Sequence, residues 1–356
     1  METREAGRGK RGDEGRGVRA LCLPLLFALS FASFPAHLLS QGATHLVIVS
    51  GLGGERKYSD SFNKISSSLA EAASTRFGIP ESEIFWFGED SVSKAAHYKG
   101  QSTKVNVERA ITQLASRTGA GDQIVIVLVG HGSGEREETK ISIPGPDLSA
   151  HDFAQLLAKF PTQKIAFINL TSASGDMLPV LSAPNRVIIT ATKSAFERNE
   201  SQFARFFVDA LTQDVADTDK DGRVSLLEAF RYAIIETKRV YDNDSRLQTE
   251  HAQLDDMGAK AGVDMPDGRS GEGVLARRFF LDGGYVARAS GQPAGANDPQ
   301  LAGLYKDKFA LEDQIDALRA KKTSMTPEAY DDALEDLLVQ LARKAKSIRE
   351  IEGRKS

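Results

Sequence analysis

Five short apolar runs set the frame of the chain: 45-HLVIVSG-51, 83-EIFWFGE-89, 123-QIVIVLVG-130, 164-KIAFINL-170 and 186-RVIITAT-192. Most are β-branched and apolar at successive positions, the pattern of strands covered on both faces. Helical spacing fills the gaps between them. Residues 58–77 contain 65-ISSSLAEAA-73, and residues 103–117 place Val107, Ile111 and Leu114 on one face. Residues 149–160 open on Ser149 with Asp152 three positions later, a capping pattern. The alternation predicts an α/β fold with a mostly parallel sheet, right-handed crossovers and helices on both faces.

Past Thr192 the pattern changes. Residues 201–214 and 225–241 are expected to be helices flanking an acidic loop. Residues 252–275, rich in Gly, Asp and Met, are expected to be an exposed loop, and 274-VLARRFFL-281 an edge strand. Residues 286–300 have linker composition. Beyond them Leu301, Leu304, Leu311, Ile315 and Leu318 recur at helical spacing, as do Leu334, Leu337, Leu341, Ala345 and Ile348. Thr326 and Pro327 mark a helix start between the two series. A helical hairpin is therefore predicted over 301–352. It either covers the main domain or serves as an arm for partner binding or oligomerisation.

Composition narrows the class. With 41% hydrophobic and 26% charged residues the 356-residue chain reads as globular, with room for one large domain and an appendage. A net charge of −4 gives no electrostatic reason to expect nucleic acid. The first nineteen residues are basic and glycine-rich, and 20-ALCLPLLFALSFASFPAHLL-39 follows. Two prolines, two serines and a histidine interrupt that run, and no basic stop-transfer segment succeeds it. It is read as a signal peptide within a 1–42 leader, with cleavage near Gly42; an uncleaved anchor is the alternative. The basic preface is long for such a leader, and translation from near Val18 would explain it. The exported chain is expected to be periplasmic or secreted, with no membrane attachment after cleavage. Cys22, the only cysteine, lies inside the leader, so the chain from Ala43 would have neither thiol nor disulfide.

The segment 217-DTDKDGRVSLLE-228 has the spacing of an EF-hand-type calcium loop. Calcium takes six to eight oxygens, and a twelve-residue loop supplies them at fixed positions. Asp217, Asp219 and Asp221 stand at one, three and five, and Gly222 takes the turn at six. Arg223 offers its backbone carbonyl at seven, Ser225 stands at nine, and Glu228 at twelve closes the cage. Val224 is the apolar plug. Predicted helices flank the loop. A single loop points to a structural calcium rather than a sensor.

Two predicted strand ends carry candidate chemistry, because ligands in parallel sheets bind at the carboxyl ends of strands. One is 128-LVGHGSG-134, where His131 stands between glycines and the Gly132 N–H could serve as an oxyanion donor. The other is 170-LTSASG-175, which offers Ser172 and Ser174.

In this order the residues resemble the caspase- and legumain-type cysteine peptidases, from about His45 to about Tyr241, and the bacterial extracytoplasmic members with an EF-hand-type loop. The resemblance implies a caspase-like α/β domain over 43–285, joined by the 286–300 linker to the hairpin. It implies that His131 matches the general base. The family's Asp-Ala-Cys-x-Ser-Gly motif falls on Leu170–Gly175, where Ser174 and Gly175 agree, the aspartate is Leu170 and the cysteine is Ser172. It further implies that 187–201 helps line the substrate cleft, so that Lys193, Glu197 and Arg198 could shape specificity or bind a peptide. A serine hydroxyl is far less acidic than a thiol and needs a base held by a third group; no orienter is evident beside His131, since Glu135, Glu137 and Glu138 lie on a loop that looks solvated. Three readings follow. The leading one is a calcium-binding pseudopeptidase that binds a peptide or protein ligand. The others are a hydrolase using Ser172 and His131, and a structural envelope protein acting through its helical arm.

Overall fold

The computed structural model describes residues 42–90, 93, 95–134, 138–213, 215–218, 223–268, 271–282, parts of 303–318, and 325–352. The leader and the 286–300 linker lie outside these. Among the described residues, seven strands form one sheet: β1 (Thr44–Ser50), β2 (Ile84–Gly88), β3 (Tyr98–Gln101), β4 (Gln123–Val129), β8 (Lys164–Asn169), β9 (Arg186–Thr190) and β10 (Gln253–Asp255). Their order is β10-β9-β8-β4-β1-β2-β3. Every neighbouring pair is parallel except β10 with β9. All seven residues of β1 and of β4 are buried, which is why they read as unbroken apolar runs.

Helices cover both faces. On one lie α1 (Arg56–Thr75), α5 (Phe203–Thr212) and α6 (Leu226–Asn243), burying Phe62, Leu69, Phe203, Phe207 and Phe230. On the other lie α2 (Lys104–Ala115), α3 (Ala150–Leu157) and α4 (Leu178–Leu181), burying Val107, Ile111, Phe153 and Leu157. Each such phenylalanine or leucine contributes about 1.5–3 kcal/mol when fully withdrawn from water. The Ser149–Asp152 capping box forms as the sequence predicts, with the Ser149 hydroxyl accepting from Asp152 N at 3.2 Å.

The chain lays β2 and β3 to one side of β1, then returns to set β4 on the other side. The strand order therefore switches between β1 and β4, and the crevice of a doubly wound sheet opens at their carboxyl ends. The backbones meet closely there. Gly51 N donates to the Val129 carbonyl at 2.8 Å. A Cβ on Gly130, whose φ is +156°, would lie 3.1 Å from the Gly51 Cα. A small antiparallel sheet, β5 (Gly132–Ser133), β6 (Lys140–Ile141) and β7 (Leu148–Ser149), follows β4 and roofs this end.

Two expectations are corrected. Residues 274–281 do not return as an edge strand: Ala276–Arg278 form a 3₁₀ turn, and β10 takes the edge instead. The reason is Asp256, whose carboxylate accepts the N–H groups of Gly273 and Ala276, each at 2.7 Å, and bends the segment out of extended form. Nor is 252–275 simply an exposed loop. Asp255 and Asp256 are buried, and Asp255 accepts backbone N–H groups from Met257 to Lys260. Burial pushes the neighbouring Glu272 carboxyl up to about 7.

At the C-terminus, α7 (Pro327–Glu352) begins at proline with the Thr326 hydroxyl accepting from Ala329 N at 3.3 Å. Leu311 and Ile315, helical residues of the preceding segment, are buried, as are Tyr330 and Ile348 of α7. Among the described residues no helix is long and apolar enough to cross a membrane.

Candidate functional site

β4 delivers His131 to the crevice. Its imidazole packs edge-on against two rings of α1, Tyr58 at 4.8 Å and Phe62 at 5.0 Å between centroids. Its carbonyl accepts from Ser142 N at 3.0 Å, which ties the histidine backbone to the roof. Among the described residues no carboxylate hydrogen-bonds the ring. Glu135 and Glu137 lie outside the described residues, and Glu138 is exposed.

β8, paired in parallel with β4, delivers Ser172 beside it. The structure brings Gly132 and Ser172 together: Gly132 N donates to Ser172 Oγ at 3.3 Å. Only glycine fits at 132, because an added Cβ would lie 2.2 Å from the Ser172 carbonyl oxygen. It does not join His131 to Ser172, since no hydrogen bond links the ring to that hydroxyl among the described residues. Ser172 is 2% exposed, and all of Leu170–Gly175 is buried.

Each residue of that turn is held from elsewhere. Leu170 N donates to Leu128 O, and its side chain joins the core. Thr171 donates both its N–H and its hydroxyl to Asn169 Oδ1, at 3.1 and 2.7 Å. Ala173 adopts φ +54° and donates its N–H to Glu197 O. Ser174 Oγ accepts from Thr192 N at 3.2 Å, and Gly175 N donates to Thr192 Oγ1 at 3.0 Å. The Ser-Gly pair is thus a stitch between the ends of β8 and β9.

The predicted cleft segment is placed unevenly. Glu197 is a clamp: its carboxylate accepts from Lys193 N and His251 N, and meets His251 Nδ1 at 2.5 Å. Lys193 and Arg198 are exposed, and Phe196 projects into solvent with 74% of its surface free. A small hollow is lined by His131 together with Phe62, Leu170, Glu200 and Ser201. Sequence reasoning missed Glu200, His251 and Glu250. The clamp joins residues 54 apart, and no motif announces such a pair.

Of the segment with calcium-loop spacing, Asp217, Arg223, Ser225 and Glu228 are described, whereas Asp219, Asp221 and Gly222 are not. Glu228 reaches both limbs of the loop. One oxygen accepts from the N–H and hydroxyl of Thr218, at 3.0 and 2.8 Å, and the other from the N–H and hydroxyl of Ser225, both at 2.9 Å. The Arg223 guanidinium turns away to Asp282 and stacks 3.6 Å over Phe280, so any ligand from Arg223 must come from its backbone. Ser225 bridges antiparallel to Phe280, and Val224 is buried in the core. Among the described residues no three His, Cys, Asp or Glu side chains gather as a metal centre. Asp217, Ser225 and Glu228 carry hard side-chain oxygens, the donor type that calcium takes.

No family model matches the chain, and no curated protein matches it. Solved structures do. The Drosophila initiator caspase Dronc aligns at 13% identity with a TM-score of 0.40, over 67% of this chain and 84% of its own. A Geobacter sulfurreducens protein aligns at 11% identity and 0.38, over 55% and 89%. A secreted C11 cysteine protease from Bacteroides thetaiotaomicron aligns at 13% and 0.35, over 60% and 66%. All three TM-scores lie below 0.5.

Proposed function

We propose that this chain is an exported protein of the caspase-like type that binds a peptide or protein without hydrolysing it, with calcium bound at 217–228. The observation that carries the reading is the state of Ser172. Its hydroxyl is buried, accepts the Gly132 N–H, and has no hydrogen bond to His131. A serine nucleophile needs a base within about 2.6–3.2 Å and a free oxyanion donor. Here the candidate donor is spent on the candidate nucleophile, and the candidate base is held by two aromatic rings. The residues that resemble a peptidase motif act as joints of the sheet end.

A serine-reactive fluorophosphonate and a peptide-substrate library test this. With calcium present, the wild-type protein should show neither labelling nor turnover. Labelling or cleavage that disappears in both Ser172→Ala and His131→Ala would make the protein a serine hydrolase and overturn the reading. N-terminal sequencing of the extracytoplasmic form tests export, for which a start near Ala43 is expected.

The calcium reading has its own readout. Extracellular modules bind with dissociation constants of roughly 10⁻⁴–10⁻³ M. At about 10 mM calcium, binding to the folded state alone then contributes about 1.4–2.7 kcal/mol. The melting temperature should rise by roughly 3–10 °C. An Asp217→Asn, Glu228→Gln double variant should lose that rise while magnesium changes neither protein. An equal rise in the double variant would remove calcium from the loop.

A further inference from the structure

α7 presents two unlike faces. Tyr330 and Ile348 are buried, Leu334, Leu337, Leu341 and Ala345 between them are half-buried, and Lys344 pairs with Asp307 at 2.6 Å. Through Lys344 this face reaches Asp307, among the helical residues between 303 and 318. The other face is exposed and reads Asp332, Glu335, Val339, Arg343, Lys346. Those positions are spaced three, four, four and three apart, one stripe of a helix, and the stripe is symmetric about Val339. Asp332 and Glu335 occupy one arm and Arg343 and Lys346 the other, and the stripe runs on to exposed Glu328 and Glu350 at its two ends. Val339, 42% exposed, is its centre, and Leu338, 45% exposed, flanks it.

The helix macrodipole does not explain the arrangement. It favours acids in the first turn and bases in the last, whereas Asp332, Glu335, Arg343 and Lys346 lie inside those turns. Pairing within the chain does not explain it either. Asp332, Glu335 and Arg343 have no ion pair among the described residues, and Lys346 reaches only Glu350, at 3.8 Å. A stripe that reads acid–acid–apolar–base–base is complementary to itself when one copy is turned end for end.

We propose that α7 binds a second copy of this chain through that stripe, with the two helices antiparallel and crossing at Val339. Asp332 of each copy then faces Lys346 of the other, and Glu335 faces Arg343. The two Val339 side chains cover one another at the crossing, which withdraws the apolar centre from water. In a parallel pairing acid would face acid and base would face base along both arms, so charge selects the antiparallel form. The inference is independent of whether Ser172 turns over a substrate.

Sedimentation velocity of the full chain should show a monomer–dimer equilibrium that weakens with added salt. Two charge-reversed proteins, Asp332→Lys with Glu335→Lys and Arg343→Glu with Lys346→Glu, should each self-associate at least tenfold more weakly. Mixed in equal amounts, they should associate with each other. In a Cys22→Ser background, Val339→Cys should form a disulfide-linked dimer. Asp332→Cys should not, because in the antiparallel pair it lies about 21 Å from its own copy, fourteen residues along the helix. A chain that stays monomeric at about 100 µM, a dimer indifferent to both reversals, or self-crosslinking of Asp332→Cys would overturn the proposal.

Discussion

Gly175→Ala should lower the melting temperature by roughly 6–12 °C, a cost of about 3 kcal/mol. The added methyl would stand 2.1 Å from the Lys193 carbonyl carbon and 2.2 Å from Ser194 N. These are backbone atoms that cannot rotate away, unlike the end of a flexible side chain. They are also fixed on both sides. Thr192, just before them, bonds Ser174 and Gly175, and Glu197, just after them, bonds Ala173 and His251. Relief therefore requires the ends of β8 and β9 to part, at the cost of overpacking strain and lost hydrogen bonds. Gly119→Ala is the control, since its nearest neighbour would be the Asp122 carboxylate at an ordinary 3.9 Å. Thermal melts of the two variants compare the same chemical change in closed and open surroundings. Equal melting temperatures would mean that the close approach at Gly175 does not exist.

How far the sequence foretold this arrangement differs between the sheet and the site. β1, β4, β8 and β9 were legible because strands buried on both faces must be apolar throughout. β3 was not, because Tyr98–Gln101 lies half-exposed at the sheet edge and carries no such run. The apolar 274–281 segment misled for the opposite reason: Ala276, Phe279 and Leu281 are buried, but the Asp256 carboxylate, 17 and 20 positions before the N–H groups it accepts, folds it into a turn. His131 and Ser172 lie just past the carboxyl ends of β4 and β8, a position that the apolar runs made legible. Their relation could not be read there. Whether the Gly132 N–H points at a substrate or at Ser172 depends on how β5 packs over the end of β8, a long-range fact with no local pattern. The charge palindrome of α7 is the reverse case, since every residue was visible and only the exposure of that face gave it meaning.

Glu250→Ala should cost about 3–5 kcal/mol, the largest single-residue loss expected away from the core. This carboxylate is 1% exposed and serves a helix it does not belong to. It accepts from Ser201 Oγ and Gln202 N at 2.8 Å, Phe203 N at 3.1 Å and Tyr241 Oη at 3.2 Å. α5 begins at Phe203, and Gln202 in front of it makes no side-chain cap. Glu250 therefore satisfies the first N–H groups of α5 and places negative charge at the positive end of its dipole. Truncation leaves the Ser201 hydroxyl and the Gln202 and Phe203 N–H groups without their acceptor, while Tyr241 Oη keeps Thr249 Oγ1 at 3.1 Å. Burial pushes the Glu250 carboxyl above the ordinary glutamate value of 4.5, against the opposing pull of the Phe203 and Gln202 N–H groups. The folded protein then binds this proton more tightly than the unfolded chain, so Glu250 contributes a stability that declines as pH rises above about 4.5. Glu250→Gln keeps the shape and one acceptor and should lose that slope. Urea unfolding of wild type and Glu250→Gln between pH 4.5 and 7.5 measures it. Parallel pH profiles would mean that the carboxylate titrates alike in both states, and a loss below about 1 kcal/mol in Glu250→Ala would mean that water replaces it as the cap. Because Ser201 and Glu200 line the same hollow as His131, a loosened α5 should also open that hollow, where hydrogen exchange at residues 201–205 would rise first.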